Sequence, residues 1–118
     1  MITTESLCAR YAVREYTASL LRFNEAVFAY DLHEQARVSL EDLLRGNSQK
    51  IEGIGADIKE AIDKEIADER DRAEYVRGEL AAAAKKFVDA ADRLEEFTGI
   101  TPDAAAYMRA FDISRANA

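Results

Sequence analysis

Chemistry at neutral pH needs nucleophiles, bases or metal ligands, and this chain offers one cysteine, Cys8, and one histidine, His33. They stand 25 residues apart in what reads as one helical stretch. That is about 37 Å at 1.5 Å per residue, so a thiol–imidazole pair within one subunit is not expected. His33 therefore reads as a seam or surface residue and Cys8 as the filler of a small buried site. A di-iron bundle requires Glu-x-x-His on two helices, and that motif does not occur. The acidic run around Asp57–Glu74 lacks the glycine and alternating ligands of a calcium loop. Gly46, Gly53 and Gly55 are not followed by the Lys-Ser/Thr pair of a phosphate loop. No catalytic residue, metal ligand or bound cofactor is expected. One arrangement stays open: carboxylates such as Glu34 and Glu69 meeting across a homo-oligomer.

The elements that carry these residues are helical. No Gly or Pro interrupts Met1–Arg45, whereas Gly46, Gly53 and Gly55 fall within ten residues of one another. The fold expected is all-α: a long antiparallel, coiled-coil-like hairpin in a single domain, with a helical block at 4–45, a turn at 46–55 and a second block at 56–98. A short helix at 102–112 follows, and Ser114–Ala118 should fray. Thr3 or Thr4 can cap the first block, with Glu5 at the positive end of its dipole. Val13, Tyr16, Leu20, Phe23, Val27 and Tyr30 recur at steps of three and four, one face of a helix. The stripe then changes phase to Leu32, Ala36, Leu40 and Leu43, beside an Asp31-Leu-His-Glu34 box that would suit a second helix start. Continuity with a kink is favoured there over a break. In the second block, Ile66, Glu69, Ala73, Val76, Leu80, Ala83, Phe87, Ala90, Leu94 and Phe97 form a heptad seam that only Glu69 interrupts. Gly78 lies off that seam, where a kink or a close neighbour would account for it. Thr101-Pro102 should open the third helix, with Tyr107, Met108 and Phe111 as its apolar contacts.

Composition sets how much such a hairpin can bury. The chain has 118 residues and is 48% hydrophobic, but 22 of those residues are alanine. Leu, Ile, Val and Phe total 27, just above the level expected of disorder, so the core should be thin. Leu20, Leu21, Phe23, Val27, Phe28 and Tyr30 cover a wider arc than one antiparallel neighbour hides. Self-association as a homodimer, completing a four-helix bundle, or docking onto another protein should bury the surplus. The plainer alternative is the third helix folding back across that arc.

The net charge is −7, which argues against nucleic acid or an anionic membrane as direct partners. Ten acids and five bases fall in residues 51–79. Glu60, Asp63, Asp68, Asp71 and Glu74 are candidates for contact with a basic surface, although pairs such as Glu60–Lys64 and Asp68–Arg72 also suit a solvated helix face. Met1-Ile-Thr-Thr-Glu-Ser-Leu-Cys8 has neither basic nor apolar signal regions. The longest apolar runs, Ala26–Tyr30 and Leu80–Ala84, are far below the ~18 residues of a membrane span. A cytoplasmic protein is expected, with export by a route needing no cleaved signal left open.

The function expected is non-enzymatic: an acidic helical adaptor, assembly subunit or inhibitor. In composition alone the chain resembles small acidic helical proteins of phages and mobile elements, including anti-CRISPR inhibitors. A second resemblance rests on Tyr75-Val-Arg-Gly-Glu79, which has the Tyr-x-x-x-Asp/Glu spacing of type VII secretion substrates. That resemblance implies an exported helical hairpin. The chain departs from the pattern in having Leu44-Arg45-Gly46 where those proteins carry Trp-x-Gly, and in placing Tyr75 mid-helix.

Overall fold

The computed structural model describes residues 3–46 and 55–116. Among them are three helices, α1 (Thr4–Gly46), α2 (Ala56–Thr98) and α3 (Ala104–Ala116), and no strand. The two long helices pack against each other antiparallel, as the all-α hairpin reading requires. Their contacts form two units: Met1–Val27 with Gly78–Ala118, and Phe28–Arg77.

Local chemistry explains the helix ends. Thr3 is the cap of α1, its Oγ1 accepting from the Ser6 N–H at 3.1 Å. α1 then runs without a break through Asp31. Asp31-Leu-His-Glu34 starts no new helix, because the backbone N–H groups there already have partners one turn back. α2 ends at Gly99, whose φ of 72° suits glycine. The Gly99 N–H closes on the Glu95 carbonyl at 2.8 Å, the single-bond left-handed cap. α3 begins later than the sequence suggests: Asp103, rather than Thr101, is its cap, with Oδ1 accepting from Ala106 N–H at 3.0 Å. It also ends later, helical through Ala116 where fraying was expected, with Ile113 and Ser114 half-buried. Most of the expected turn at 46–55 lies outside the described residues. Gly46 still belongs to α1, and Gly55 has a φ of 123°, which only glycine adopts readily.

The first unit holds most of the core. Phe23 and Phe87 are fully buried, stacked with centroids 5.6 Å apart and planes 4° from parallel. Tyr16 tilts onto Phe87 at 5.5 Å. Around them Ala12, Ala83, Ala84, Ala90, Ala91 and Ala110 are buried with Leu80 and Leu94. Alanine thus does more than inflate the apolar count, since its small side chain lets helix backbones approach the stacked rings. On α1 the inward positions of this unit are Ala9, Ala12, Tyr16, Ser19, Phe23 and Ala26, alternately three and four apart. The stripe read from large residues alone runs beside this seam: Val13 is 45% exposed, and Leu20 and Val27 are only half-buried.

α3 packs within this unit through Ala110, with no exposed surface left on that residue. Two hydrogen bonds hold it: Asp103 N–H to Tyr16 Oη and Tyr107 Oη to Asp92 Oδ1, at 3.1 and 3.0 Å. Of its expected apolar contacts only Tyr107 is half-buried, whereas Met108 and Phe111 stay exposed. The small face at Ala106 and Ala110 permits a closer approach than Met108 would.

The second unit has a sparser core, Ile66, Ala73 and Val76. The half-buried positions of α1 here include Tyr30, His33, Arg37, Leu40 and Leu44, again three and four apart. The expected change of phase is absent, and Leu32 and Leu43 are exposed. Two polar residues occupy seam positions that a hydrophobic stripe cannot reveal.

Candidate interaction surface

Each seam polar group in the second unit has a partner. His33 Nδ1 donates to Glu69 Oε2 at 2.8 Å, since an ionised carboxylate can only accept. Glu69 Oε1 accepts from Arg72 at 2.6 Å. The His33 bond, with Arg72 in support, holds the Glu69 carboxyl below its ordinary range. Arg37 bridges Glu34 and Glu41 at 2.8 and 2.9 Å, and Arg70 reaches Glu41 from α2 at 2.7 Å. Glu41 is likewise held low, chiefly by the Arg70 hydrogen bond. These groups neutralise one another, and the arrangement is that of a satisfied polar layer. Among the described residues, no three His, Cys, Asp or Glu side chains gather as a metal site would require.

The candidate contact residues separate by position. Phe23 is 1% exposed and belongs to the core, so it is withdrawn from any contact surface: its ring is already stacked on Phe87. Leu20, Val27 and Tyr30 are half-buried beside the seam. Phe28 is 70% exposed. Among the acids, Glu60, Asp63, Asp71 and Glu74 are exposed and Asp68 is half-buried. Arg72 pairs with Glu69 rather than Asp68, and Arg77 reaches Glu74 at 4.0 Å. Glu60 and Lys64 form no ion pair among those of the described residues. Gly78 has no neighbour within 4 Å of where a side chain would begin, so close approach does not explain it.

Other apolar side chains stand out to solvent on α1. Leu7, Tyr11, Leu21 and Leu32 are each more than half exposed, as is Phe28. Leu7 and Tyr11 also border a groove of about 360 Å³ in the first unit, shared with Cys8, Ala12 and Phe97 and edged by the Glu15–Arg93 ion pair. Cys8 lines this groove, half-buried, rather than filling a closed site. Phe97 lies near the start of α1, as the matched lengths of the two long helices imply. Hydrophobic periodicity passes over Leu7 and Tyr11, because Arg14 and Glu25 interrupt their row, and assigns Leu32 to the inward stripe; the three-and-four spacing is the available signal. No helix among the described residues is long and apolar enough to cross a membrane.

No protein-family model, curated protein or solved structure matches the chain.

Proposed function

We propose that this chain is a non-enzymatic helical protein that acts by protein–protein contact, as an adaptor, assembly subunit or inhibitor. One observation carries the reading: α1 exposes Leu7, Tyr11, Leu21, Phe28 and Leu32 although it already packs on α2 through other residues. Scattered apolar residues are ordinary on a surface. Five large ones on a single helix are the anchors of a helix-binding interface. Acidic residues on α2, including Glu60, Asp63, Asp71 and Glu74, extend this reading to a partner with a basic surface, through steering rather than affinity. No direct nucleic-acid or membrane role is proposed, and a cytoplasmic setting accords with such a partner.

The test is affinity capture from source cells, comparing the wild type with a Leu21→Ser/Phe28→Ser variant and identifying bound proteins by mass spectrometry. Both side chains are exposed, so the variant should keep its helicity. A specific protein retained by the wild type and lost by the variant supports the reading. Equal recovery by both, or no protein beyond background in a wild type that is also monomeric, overturns it.

A second reading is that of an exported hairpin resembling type VII secretion substrates. It is favoured by Tyr75, 70% exposed one turn from the exposed Glu79, which leaves that pair available to a receptor. Secretion that depends on Tyr75 would decide for it.

A further inference from the structure

The exposed row on α1 has an order of its own. Leu7, Tyr11, Arg14, Ala18, Leu21, Glu25, Phe28 and Leu32 follow one another at alternating steps of four and three, and every one is exposed. All eight lie on one continuous helix. At 3.6 residues per turn they occupy an arc of about 100°. The inward residues Ala12, Tyr16 and Phe23 lie roughly opposite. This row therefore has the spacing of a coiled-coil seam, on the outer side of a helix that already uses its inner one.

Reversed, the row is complementary to itself. About a midpoint between Ser19 and Leu20, Leu7 mirrors Leu32, Tyr11 mirrors Phe28, Arg14 mirrors Glu25, and Ala18 mirrors Leu21. From this we infer that the occupant of the face is a second copy of the same chain, with the two α1 helices antiparallel about a two-fold axis at that midpoint. Residue i then faces residue j and j faces i, as an isologous interface demands. Leu7 packs on Leu32 of the second copy and Tyr11 on its Phe28. The small Ala18 receives Leu21, so the helices can close at the centre. Arg14 and Glu25, the two charges that interrupt the row, face each other twice across the axis.

Those charges also choose the orientation. In a parallel, in-register pair Arg14 would meet Arg14 and Glu25 would meet Glu25, two like-charge contacts within a seam. The antiparallel pair turns both into attractions. The paired stretch, Leu7–Leu32, is about 37 Å long. Each hairpin then gains a second buried seam, which a thin-cored hairpin lacks alone. This inference rests on the reading of the outer α1 face as the binding surface and adds the identity of one occupant.

Sedimentation equilibrium on the full chain, from about 1 μM to several hundred micromolar, tests it against charge-reversed variants. The wild type should be a dimer. Arg14→Glu and Glu25→Arg should each weaken the dimer roughly 30-fold or more, because two attractions become two repulsions. The double variant Arg14→Glu/Glu25→Arg should restore it. Circular dichroism checks that the monomers stay folded. Independently, Ala18→Cys/Leu21→Cys in a Cys8→Ala background should give an oxidised, disulfide-linked dimer. A wild type that is monomeric throughout overturns the inference, while affinity capture separately decides whether the face binds another protein. A dimer indifferent to both reversals, or a double variant as weak as the single ones, also overturns it.

Discussion

His33 and Glu69 face each other across the seam of the second unit, Nδ1 to Oε2 at 2.8 Å, with side chains 28% and 14% exposed. Each occupies a position where a hairpin of this length would ordinarily hold an apolar side chain. The contact joins residues 36 apart in sequence, so it reports on register as well as attraction. A shift of the helices past one another would strand a carboxylate among Ile66, Ala73 and Val76. A single polar layer of this kind specifies alignment at some cost in stability.

Replacing either partner should therefore cost more than an exposed ion pair. His33→Ala leaves Glu69 with Arg72 alone, and a loss of about 1 kcal/mol is expected in urea unfolding. A His33→Leu/Glu69→Leu pair should recover most of that loss while loosening the register. Hydrogen exchange over residues 30–44 and 66–77 would show broader, less protected signals in the double variant. A double variant as well protected as the wild type would assign the layer no role in alignment.

Acid should act on this unit first. The carboxyls of Glu69 and Glu41 lie below their ordinary value of 4.5, the first chiefly through the His33 hydrogen bond and the second chiefly through Arg70. A lowered folded value means that the stabilisation is complete above the unfolded one and is lost as pH falls through the folded one. Amide protection in residues 30–44 and 66–77 is expected to hold at neutral pH and to fall progressively below about 4.5. Protection around Phe23 and Phe87 should persist further into acid, because that core is apolar. Simultaneous loss in both places would contradict this.

The Phe23–Phe87 stack is the most sensitive point of the first unit. Either ring replaced by alanine leaves a cavity that helix backbones cannot collapse into, and the expected cost is about 3–5 kcal/mol. For a chain with a thin core this approaches the whole stability. Thermal unfolding monitored by circular dichroism should show a large fall in midpoint or no cooperative transition.

Gly78 offers the opposite case. It lies inside α2, its φ is not positive, and nothing stands within 4 Å of an added methyl group. Gly78→Ala should stabilise the chain by about 0.5–1 kcal/mol through helix propensity and reduced freedom of the unfolded chain. A fall in the unfolding midpoint would show that the glycine serves a contact with another molecule.

Much of this architecture was legible from residue order. The bounds of α2, the heptad seam from Ile66 to Leu94, a threonine cap at Thr3 or Thr4 and the approach of Phe97 to the start of α1 follow from periodicity, capping chemistry and helix length. Where the sequence misled, one cause recurs. Hydrophobic periodicity weights large residues, whereas the seam of α1 alternates large residues with Ala12, Ser19 and Ala26 and then with His33 and Arg37. Small and polar side chains become inward ones only when a neighbouring helix comes close or supplies a partner, as α2 does with Phe87 and Glu69. The same holds for α3, which docks through Ala110 and two hydrogen bonds rather than through Met108 and Phe111. Local order therefore determined where the helices run, and tertiary contact decided which faces they hide, because burial is a property of pairs of surfaces. That decision hid Phe23 in the core and left Phe28 exposed.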